Sequence, residues 1–431
     1  MYRELIQRTL DYIEDNLKAE IAAAELSEMC GYSLYHYYRV FQSELGMPVM
    51  QYILRRRLLN AIYEISEGRK MIDTALDYGF ETYAGFYRSF VRELGYTPSQ
   101  FIDLYRVKKP YRINIMREEH IMLSNKRAAR LLESWGMENE RLADVVYGET
   151  GSISDSAKYV GDGYVLKYTP NLGGVQKAIE ISKALENVGL SASKLVPAND
   201  GREYIEDGEL YFYVVKKFCG ERMRAGSLYE QGQQSKARFI GEMIGQLSLA
   251  LSVLDVAADE ADTLAAVKEY AIPKLGGRLD IDDAFIRDYL AELDRLYPEL
   301  PRQLIHRDPN PGNIILSDEG HGFIDFELSE RNVRIYDPCY AATAILSESF
   351  EDGNEKKLEK WTEIMREIMY GYDSVVKLTD AEKKAVPYII LANQFIATAW
   401  FSQSEKYQEL CQTNARMTEW IAHNFGKIME I

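Results

Sequence analysis

Cysteine is scarce, with 4 in 431 residues. Cys30, Cys219, Cys339 and Cys411 lie 72 or more positions apart, which leaves neither a CxxC metal knuckle nor a dense disulfide framework. Glycine (29) and proline (12) are too few for collagen-like or low-complexity sequence. No apolar run reaches the roughly 18 residues that a membrane helix needs. The N-terminal MYRELIQRTLDYIEDNL alternates charge with apolar residues rather than forming a signal-peptide core. The most apolar stretch, Tyr388 to Phe401, is broken by Asn393 and Gln394 and reads as a buried helix. Neither secretion nor membrane spanning is expected, and the cytoplasm is the expected compartment.

What is present suits a folded chain: 46% hydrophobic and 27% charged residues, in a length that predicts two to four domains at about 100–200 residues each. The net charge of −16 is unevenly placed. Residues 1–112 hold 15 Lys+Arg and 15 Asp+Glu, so the whole acidic excess lies beyond them. A neutral segment with basic clusters such as Arg55-Arg56-Arg57, joined to an acidic one, predicts two parts with different partners. The acidic surface either keeps the second part soluble or favours a cationic substrate.

The first segment repeats itself. CGYSLYHYYRVFQSELGMPVMQYI from Cys30 and YGFETYAGFYRSFVRELGYTPSQFI from Tyr78 align Gly31 with Gly79, Arg39 with Arg88, Phe41 with Phe90 and Gly46 with Gly95. Each copy has a short periodic helix, a glycine turn, a polar cap (Ser33; Thr82) and a second helix closed by glycine, which is a helix-turn-helix pattern. Tyr37, Val40, Phe41 and Leu45 form the apolar face of the first such helix, and Phe86, Phe90 and Leu94 that of the second. Tyr35, His36, Tyr38 and Arg39, and then Ala84, Tyr87 and Arg88, fall outside those faces. The helix from Pro48 to Ser66 becomes a spacer between two reading heads.

Residues 5–107 resemble the DNA-binding domain of AraC/XylS-family transcription regulators. The resemblance implies a double-stranded DNA operator, with both second helices entering successive major-groove segments. By position it assigns DNA contacts to Tyr35, His36, Tyr38, Arg39, Ala84, Tyr87 and Arg88. Arginine suits guanine, and the tyrosines suit phosphates or thymine methyls equally. Of Arg55 to Arg57, one is expected to pack or pair and one to reach phosphate. Ala84 and Gly85 stand where long polar readers are frequent in that family, so the second half-site is expected to be read more loosely. Two heads in one chain leave the oligomeric state open.

From Val145 the texture changes. VVYGETGSISDSAKYVGDGYVLKYT holds two apolar-alternating runs around Gly-Asp-Gly, a hairpin signal, followed by a helix near Gly174 to Val188 and a strand pair around Gly208. Beyond Gly220 the chain turns helical, interrupted by LIHRDPNPGNIILSDEGHGFIDFEL. There His306, Asp308 and Asn313 follow the spacing H-x-D-x-x-x-x-N, with Asp325 twelve positions later at the end of an apolar strand. Phosphoryl transfer needs a carboxylate to orient the attacking hydroxyl and oxygen ligands for Mg²⁺. Asp308 suits the first role, Asn313 and Asp325 the second, and His306 braces the catalytic loop. Lys167, in VLKY, suits the nucleotide phosphates, and Glu180 is placed to hold it, with Glu186 as competitor.

These motifs resemble the aminoglycoside phosphotransferase and choline kinase family, relatives of protein kinases, over about Val145 to Ile431. The resemblance implies ATP or GTP with Mg²⁺, adenine against Val214 to Phe218 (Val215 and Lys216 at its centre), phosphate contacts from Ser152 and Ser154, a buttress in Asp337, and a small hydroxylated or cationic substrate or effector. The expected fold is multidomain: an all-α double helix-turn-helix domain over 1–107, a helical linker over 108–144, a β-rich lobe over 145–220 and a helical lobe over 221–431, the last two forming an α+β, protein-kinase-like bilobal domain. The expected function is a DNA-binding transcription regulator whose second domain binds nucleotide, a small-molecule effector or both. The alternative is a small-molecule kinase carrying a DNA-binding domain. A kinase-like lobe that only recruits partners is disfavoured by the intact metal-ligand set.

Overall fold

The computed structural model describes residues 2–116, 122–147, 153–187, 190–218, 220–230, 232, 234–317, 321–403 and 407–428. They form two compact units, Met1–Pro170 with Val196–Lys217, and Asn171–Leu195 with Phe218–Ile431.

The first unit opens with seven helices, α1 (Tyr2–Asp15), α2 (Ala23–Met29), α3 (Leu34–Leu45), α4 (Val49–Ser66), α5 (Met71–Asp77), α6 (Tyr83–Leu94) and α7 (Pro98–Leu104). The repeat is explicit in the backbone. Gly31 and Gly79 turn between the helices of each pair at φ 67° and 81°, in the left-handed region that a Cβ disfavours. The Ser33 hydroxyl accepts from the His36 N–H and the Thr82 hydroxyl from the Gly85 N–H, capping α3 and α6. Tyr37, Phe41, Leu45, Phe86, Phe90 and Leu94 are fully buried in one core with Ile6, Leu10 and Tyr52 of α1 and α4. Burial of this aromatic area is the main force holding the heads to the spacer.

A short helix, α8 (Asn125–Leu132), follows, and then an antiparallel sheet of β1 (Leu142–Val146), β2 (Ile153–Val160), β3 (Tyr164–Thr169), β6 (Ile205–Asp207) and β7 (Leu210–Lys216), with the two-residue β5 (Leu195–Val196) also in the sheet. β1 begins at Leu142, inside the stretch read above as linker. Leu166, Tyr168, Phe212 and Val214 project from one face and bury against Ala128, Leu132 and Trp135. Strand alternation sends Lys167, Tyr213 and Val215 to the other face.

The second unit is mainly helical. α9 (Leu172–Asn187) precedes β4 (Ser191–Ala192), and β8 (Glu221–Arg222) leads to α10 (Gln234–Ser252). After two short helices, α11 (Thr263–Ala265) and α12 (Ile272–Leu275), come α13 (Asp283–Leu296), β9 (Arg302–Ile305), β10 (Ile314–Leu316), β11 (Gly322–Phe323) and β12 (Glu330–Val333). The chain continues through α14 (Tyr336–Ser349), α15 (Glu355–Val375), α16 (Asp380–Phe401), α17 (Gln408–His423) and α18 (Phe425–Ile428). The sheet order β4-β11-β10-β8 and the β12-β9 pair frame the HRDPNPGN loop on a core containing Trp361, Tyr372 and Phe395. Asn393 and Gln394 do lie buried within α16. No described helix is long and apolar enough to cross a membrane.

Candidate active site and DNA interface

The loop leaving β9 is built around an acid. Asp337, in the first turn of α14, is 2% exposed and accepts the backbone N–H groups of His306 and Arg307, each at 2.9 Å. Those bonds hold Arg307 at φ 74°, a conformation rare for residues with a Cβ, and an Arg307–Glu330 ion pair at 2.9 Å adds to it. Burial pushes the Asp337 pKa up to about 7, against the pull of its two N–H donors.

His306 is fully buried. Its Nδ1 accepts from the Asp308 N–H at 3.3 Å and its Nε2 donates to the Ile324 carbonyl at 3.0 Å, tying the loop to the strand before Asp325. The Phe326 ring lies 4.6 Å from the imidazole. These contacts make His306 a brace.

Asp308 is half-buried. Asn310 Nδ2 donates to its Oδ1 at 2.8 Å, Asn313 Nδ2 to its backbone O at 2.9 Å and Oδ2 at 3.2 Å, and Tyr340 also bonds it. Burial raises its pKa to about 6, the Asn310 and Tyr340 bonds oppose the rise, and the neighbouring charge of Asp325 adds to it. Asp325 has φ 78°, so this side chain too is presented from a strained backbone. Asp308, Asn313 and Asp325 are therefore brought together in one unit.

Asn313 spends its amide N–H groups on Asp308, so Oδ1 is the atom of this side chain that could meet a cation. Among the described residues no three His, Cys, Asp or Glu side chains form an all-protein metal cage. One amide oxygen beside one carboxylate fits Mg²⁺, which keeps waters and phosphate oxygens as its other ligands.

Lys167 sits on β3, opposite Ala157 of β2 and Tyr213 of β7, with its ammonium 5.8 Å from the Tyr213 ring centre. Val215 is buried and Lys216 exposed at the end of β7. Ser154 is buried on β2, its hydroxyl 3.3 Å from that of Ser156, and Ser152 lies outside the described residues. Glu180 is exposed on α9, and Glu186 pairs with Lys194 at 3.5 Å. Three participants escaped the sequence reading. Asn310 and Tyr340 both bond Asp308, and Lys177, 7% exposed on α9, feels burial first and then Asp259, Glu330 and Arg307. A usable signal existed for Tyr340, which stands three positions after Asp337 and so on the same helical face.

On α3 and α6, Tyr35 is 79% exposed, Tyr38 and Tyr87 are each 37% exposed, and Arg39, Ala84 and Arg88 are exposed. Neither Arg39 nor Arg88 is held in an ion pair among the described residues. His36 differs, half-buried with its ring 4.7 Å from Tyr32. The expectation that one of Arg55 to Arg57 packs or pairs is matched by protein partners for all three. Arg55 pairs with Asp144, Arg56 with Glu14, and Arg57 donates to the carbonyls of Leu17 and Ala19 at 2.8 and 2.6 Å.

Comparison with known proteins accounts for both halves. A model of the phosphotransferase enzyme family matches residues 150–367, more than half the chain. The chain belongs to the phosphotransferase enzyme family. A helix-turn-helix domain model matches residues 26–103, and this domain is of the AraC type. The HTH-type transcriptional activator AarP of Providencia stuartii is 36% identical over 98 residues, 22% of this chain and 73% of the activator. The multiple antibiotic resistance protein MarA of Escherichia coli is 32% identical over 97 residues, 22% of this chain and 76% of MarA. An uncharacterized HTH-type regulator of Bacillus subtilis, YbfP, is 34% identical over 101 residues, and this chain spans about a third of its length, 34%. Among solved structures, a microcompartment-associated aminopropanol kinase superposes with TM-score 0.53 at 15% identity over 70% of this chain and 97% of that one. The GDP complex of an aminoglycoside 2'-phosphotransferase-IIIa mutant gives 0.50 at 15% over 70% and 98%. At such identity that likeness is one of fold, the kinase-like one, and with the helix-turn-helix match it makes the chain a helical DNA-binding domain followed by an α+β, kinase-like domain.

Proposed function

We propose that the chain is a sequence-specific transcription regulator of the AraC type whose phosphotransferase domain binds a nucleotide, ATP or GTP, with Mg²⁺, and through it or a small-molecule effector adjusts the regulator's action. The observation that carries this is the joint retention of two exposed reading heads and a catalytic loop with Asp308, Asn313 and Asp325 assembled. Arg39 and Arg88 read base edges or phosphates, with Tyr35, His36, Tyr38, Ala84 and Tyr87 at the same faces. Lys167 pairs with the phosphates and Glu180 orients it, Ser152 and Ser154 approach the phosphates, and the backbone of Val215 and Lys216 meets the base. Asn313 and Asp325 hold Mg²⁺, which supplies neutralisation of phosphate charge. The domains occupy 1–107, 108–144, 145–220 and 221–431, and the protein works in the cytoplasm.

The test enriches DNA duplexes from a random pool with the full chain and measures thermal stabilisation by Mg²⁺ATP or Mg²⁺GTP. Enrichment of a defined sequence together with nucleotide-dependent stabilisation supports the reading, and absence of either contradicts it.

A second reading, a small-molecule kinase carrying a DNA-binding domain, is favoured by one observation. Asp308 is raised to about 6 and bonded by Asn310 and Tyr340, the poise of a general base working near neutral pH. In that role its carboxylate accepts the proton of a substrate hydroxyl as that oxygen attacks the terminal phosphorus, whose bond to the bridging oxygen breaks so that the nucleoside diphosphate leaves. ATP consumption against a panel of hydroxylated amines, lost in Asp308→Asn, decides for it. Stabilisation without turnover leaves the sensor reading.

A further inference from the structure

The junction between the DNA-binding domain and the β1–β2 hairpin is a buried charge cluster. Asp144 of β1 is 2% exposed and receives Arg55 Nη2 of the spacer helix α4 at 2.5 Å and Lys158 Nζ of β2 at 2.6 Å. Arg55 also donates to the Glu93 carbonyl at the end of α6, at 3.5 Å, and the buried Glu93 carboxylate accepts from Gln51 Nε2 at 3.0 Å. Two cations thus share the Asp144 carboxylate out of water, and the Glu93 carboxylate beside them is paired with Arg92 at 3.5 Å. Such a set is stable only while every partner stays in place.

Backbone contacts follow the same path. Gly95, at φ 83° after α6, lies so close to β1 that a Cβ there would stand 2.4 Å from the Ala143 Cα. The Tyr96 hydroxyl donates to the Asp144 carbonyl at 2.8 Å, and Asn125 Nδ2 to the Arg92 carbonyl at 2.8 Å. The end of the first reading helix is tied as well, through Met122 N–H to the Leu45 carbonyl at 3.0 Å. Val146 and Ile153, the facing ends of the hairpin strands, pack into the core of the DNA-binding domain. Lys158 is one position from Ala157, the cross-strand partner of Lys167, so the charge cluster and the phosphate-binding candidate occupy adjacent rungs of one ladder, pointing to opposite faces.

We propose that this cluster makes the second reading head and the β1–β2 hairpin one mechanical element, so that nucleotide bound on the sheet changes the affinity of the protein for DNA. The proposal rests on the reading above, that this sheet holds nucleotide beside Lys167. A shift of the hairpin carries Gly95, and with it α6. Two heads that must enter successive major-groove segments tolerate little change in their relative setting. Covalent linkage alone would not do this, because a tether transmits no orientation. Asp144 acts here as a positioning residue that joins the two ligand sites.

The experiment uses the full chain, a duplex enriched by that chain from a random pool, and a non-hydrolysable ATP analogue with Mg²⁺. Fluorescence anisotropy gives the duplex Kd with and without saturating analogue, and calorimetry separately gives analogue binding. The expected result is a change in duplex Kd of about fivefold or more, and an equal change in analogue Kd when duplex is present, because such coupling is reciprocal. In Asp144→Asn the factor falls below about twofold while each ligand still binds alone. Tyr96→Phe, which removes one bond to the Asp144 carbonyl and leaves the ion set, reduces the factor in the same direction and serves if Asp144→Asn does not fold. Analogue binding with a duplex Kd changed by less than about fivefold overturns the coupling, and full coupling in both variants overturns the part assigned to the cluster. Absence of binding by this analogue and by its GTP counterpart in calorimetry overturns the underlying nucleotide reading, and the proposal falls with it.

Discussion

Asp144→Ala is the most informative single change in the junction. It leaves Arg55, 8% exposed, and Lys158, 2% exposed, without the carboxylate that lies 2.5 and 2.6 Å from them. In the intact protein, burial works against the Asp144 carboxylate, yet Arg55 and Lys158 hold its pKa below the usual range. Removing one partner of a buried pair costs about 3–5 kcal/mol, because the survivors keep their desolvation penalty. At about 1.4 kcal/mol per tenfold, a loss near 4 kcal/mol opens β1 and β2 roughly 10³-fold more often. Hydrogen exchange followed by mass spectrometry on peptides covering 142–146 and 153–160 reads that opening directly. Asp162→Ala, on the exposed turn between β2 and β3, is the control and leaves protection unchanged. The loss also has a sign in pH. Burial already pulls the Lys158 ammonium below its usual pKa, with Asp144 acting against the fall, so without Asp144 the lysine sheds its proton more easily. The penalty of the variant therefore shrinks as pH rises, once rates are corrected for intrinsic exchange. Protection within tenfold of wild type at neutral pH would mean that the Asp144 ion set does not hold β1 and β2 closed.

Other expectations concern the two functional surfaces. Arg39→Ala weakens binding of the enriched duplex by about 1–3 kcal/mol, read by anisotropy, and an unchanged Kd removes Arg39 from the reading face. Arg57→Ala changes folding stability and leaves the slope of log Kd against log salt as it was, because its guanidinium is spent on the Leu17 and Ala19 carbonyls. If the domain transfers phosphate, kcat/KM rises about tenfold per pH unit below about 6 and levels above it as Asp308 ionises, whereas a flat profile from pH 5 to 8 assigns the base elsewhere.

Much of this organisation was legible in the sequence because it is local. The paired glycine turns, the caps Ser33 and Thr82 and the inward aromatics are separated by a few positions, and period and spacing alone place them. The same holds for His306, Asp308, Asn313 and Asp325, whose distances along the chain survive as distances in space. What escaped depends on long-range encounter. Arg55 meets Asp144 across 89 positions, and nothing near either residue announces the other. A run of three arginines in a DNA-binding domain invites a phosphate-binding reading, yet each is drawn inward by a partner supplied from another element. Lys177 is similar: periodicity puts it on α9, but only the fold surrounds it with Asp259, Glu330 and Arg307. The left-handed backbone of Arg307 was also invisible, since arginine does not signal it and the strain is held by Asp337 from thirty positions away, and at Asp325 the residue type signals it only weakly.

A DNA-binding regulator with a working nucleotide site is best probed by calorimetric titration of a non-hydrolysable Mg²⁺ATP or Mg²⁺GTP analogue into the full chain and into Asp325→Ala. One of them binds saturably to the wild type and fails to bind the variant, while both proteins keep the enriched duplex. No binding to the wild type, or equal binding to the variant, contradicts such a site.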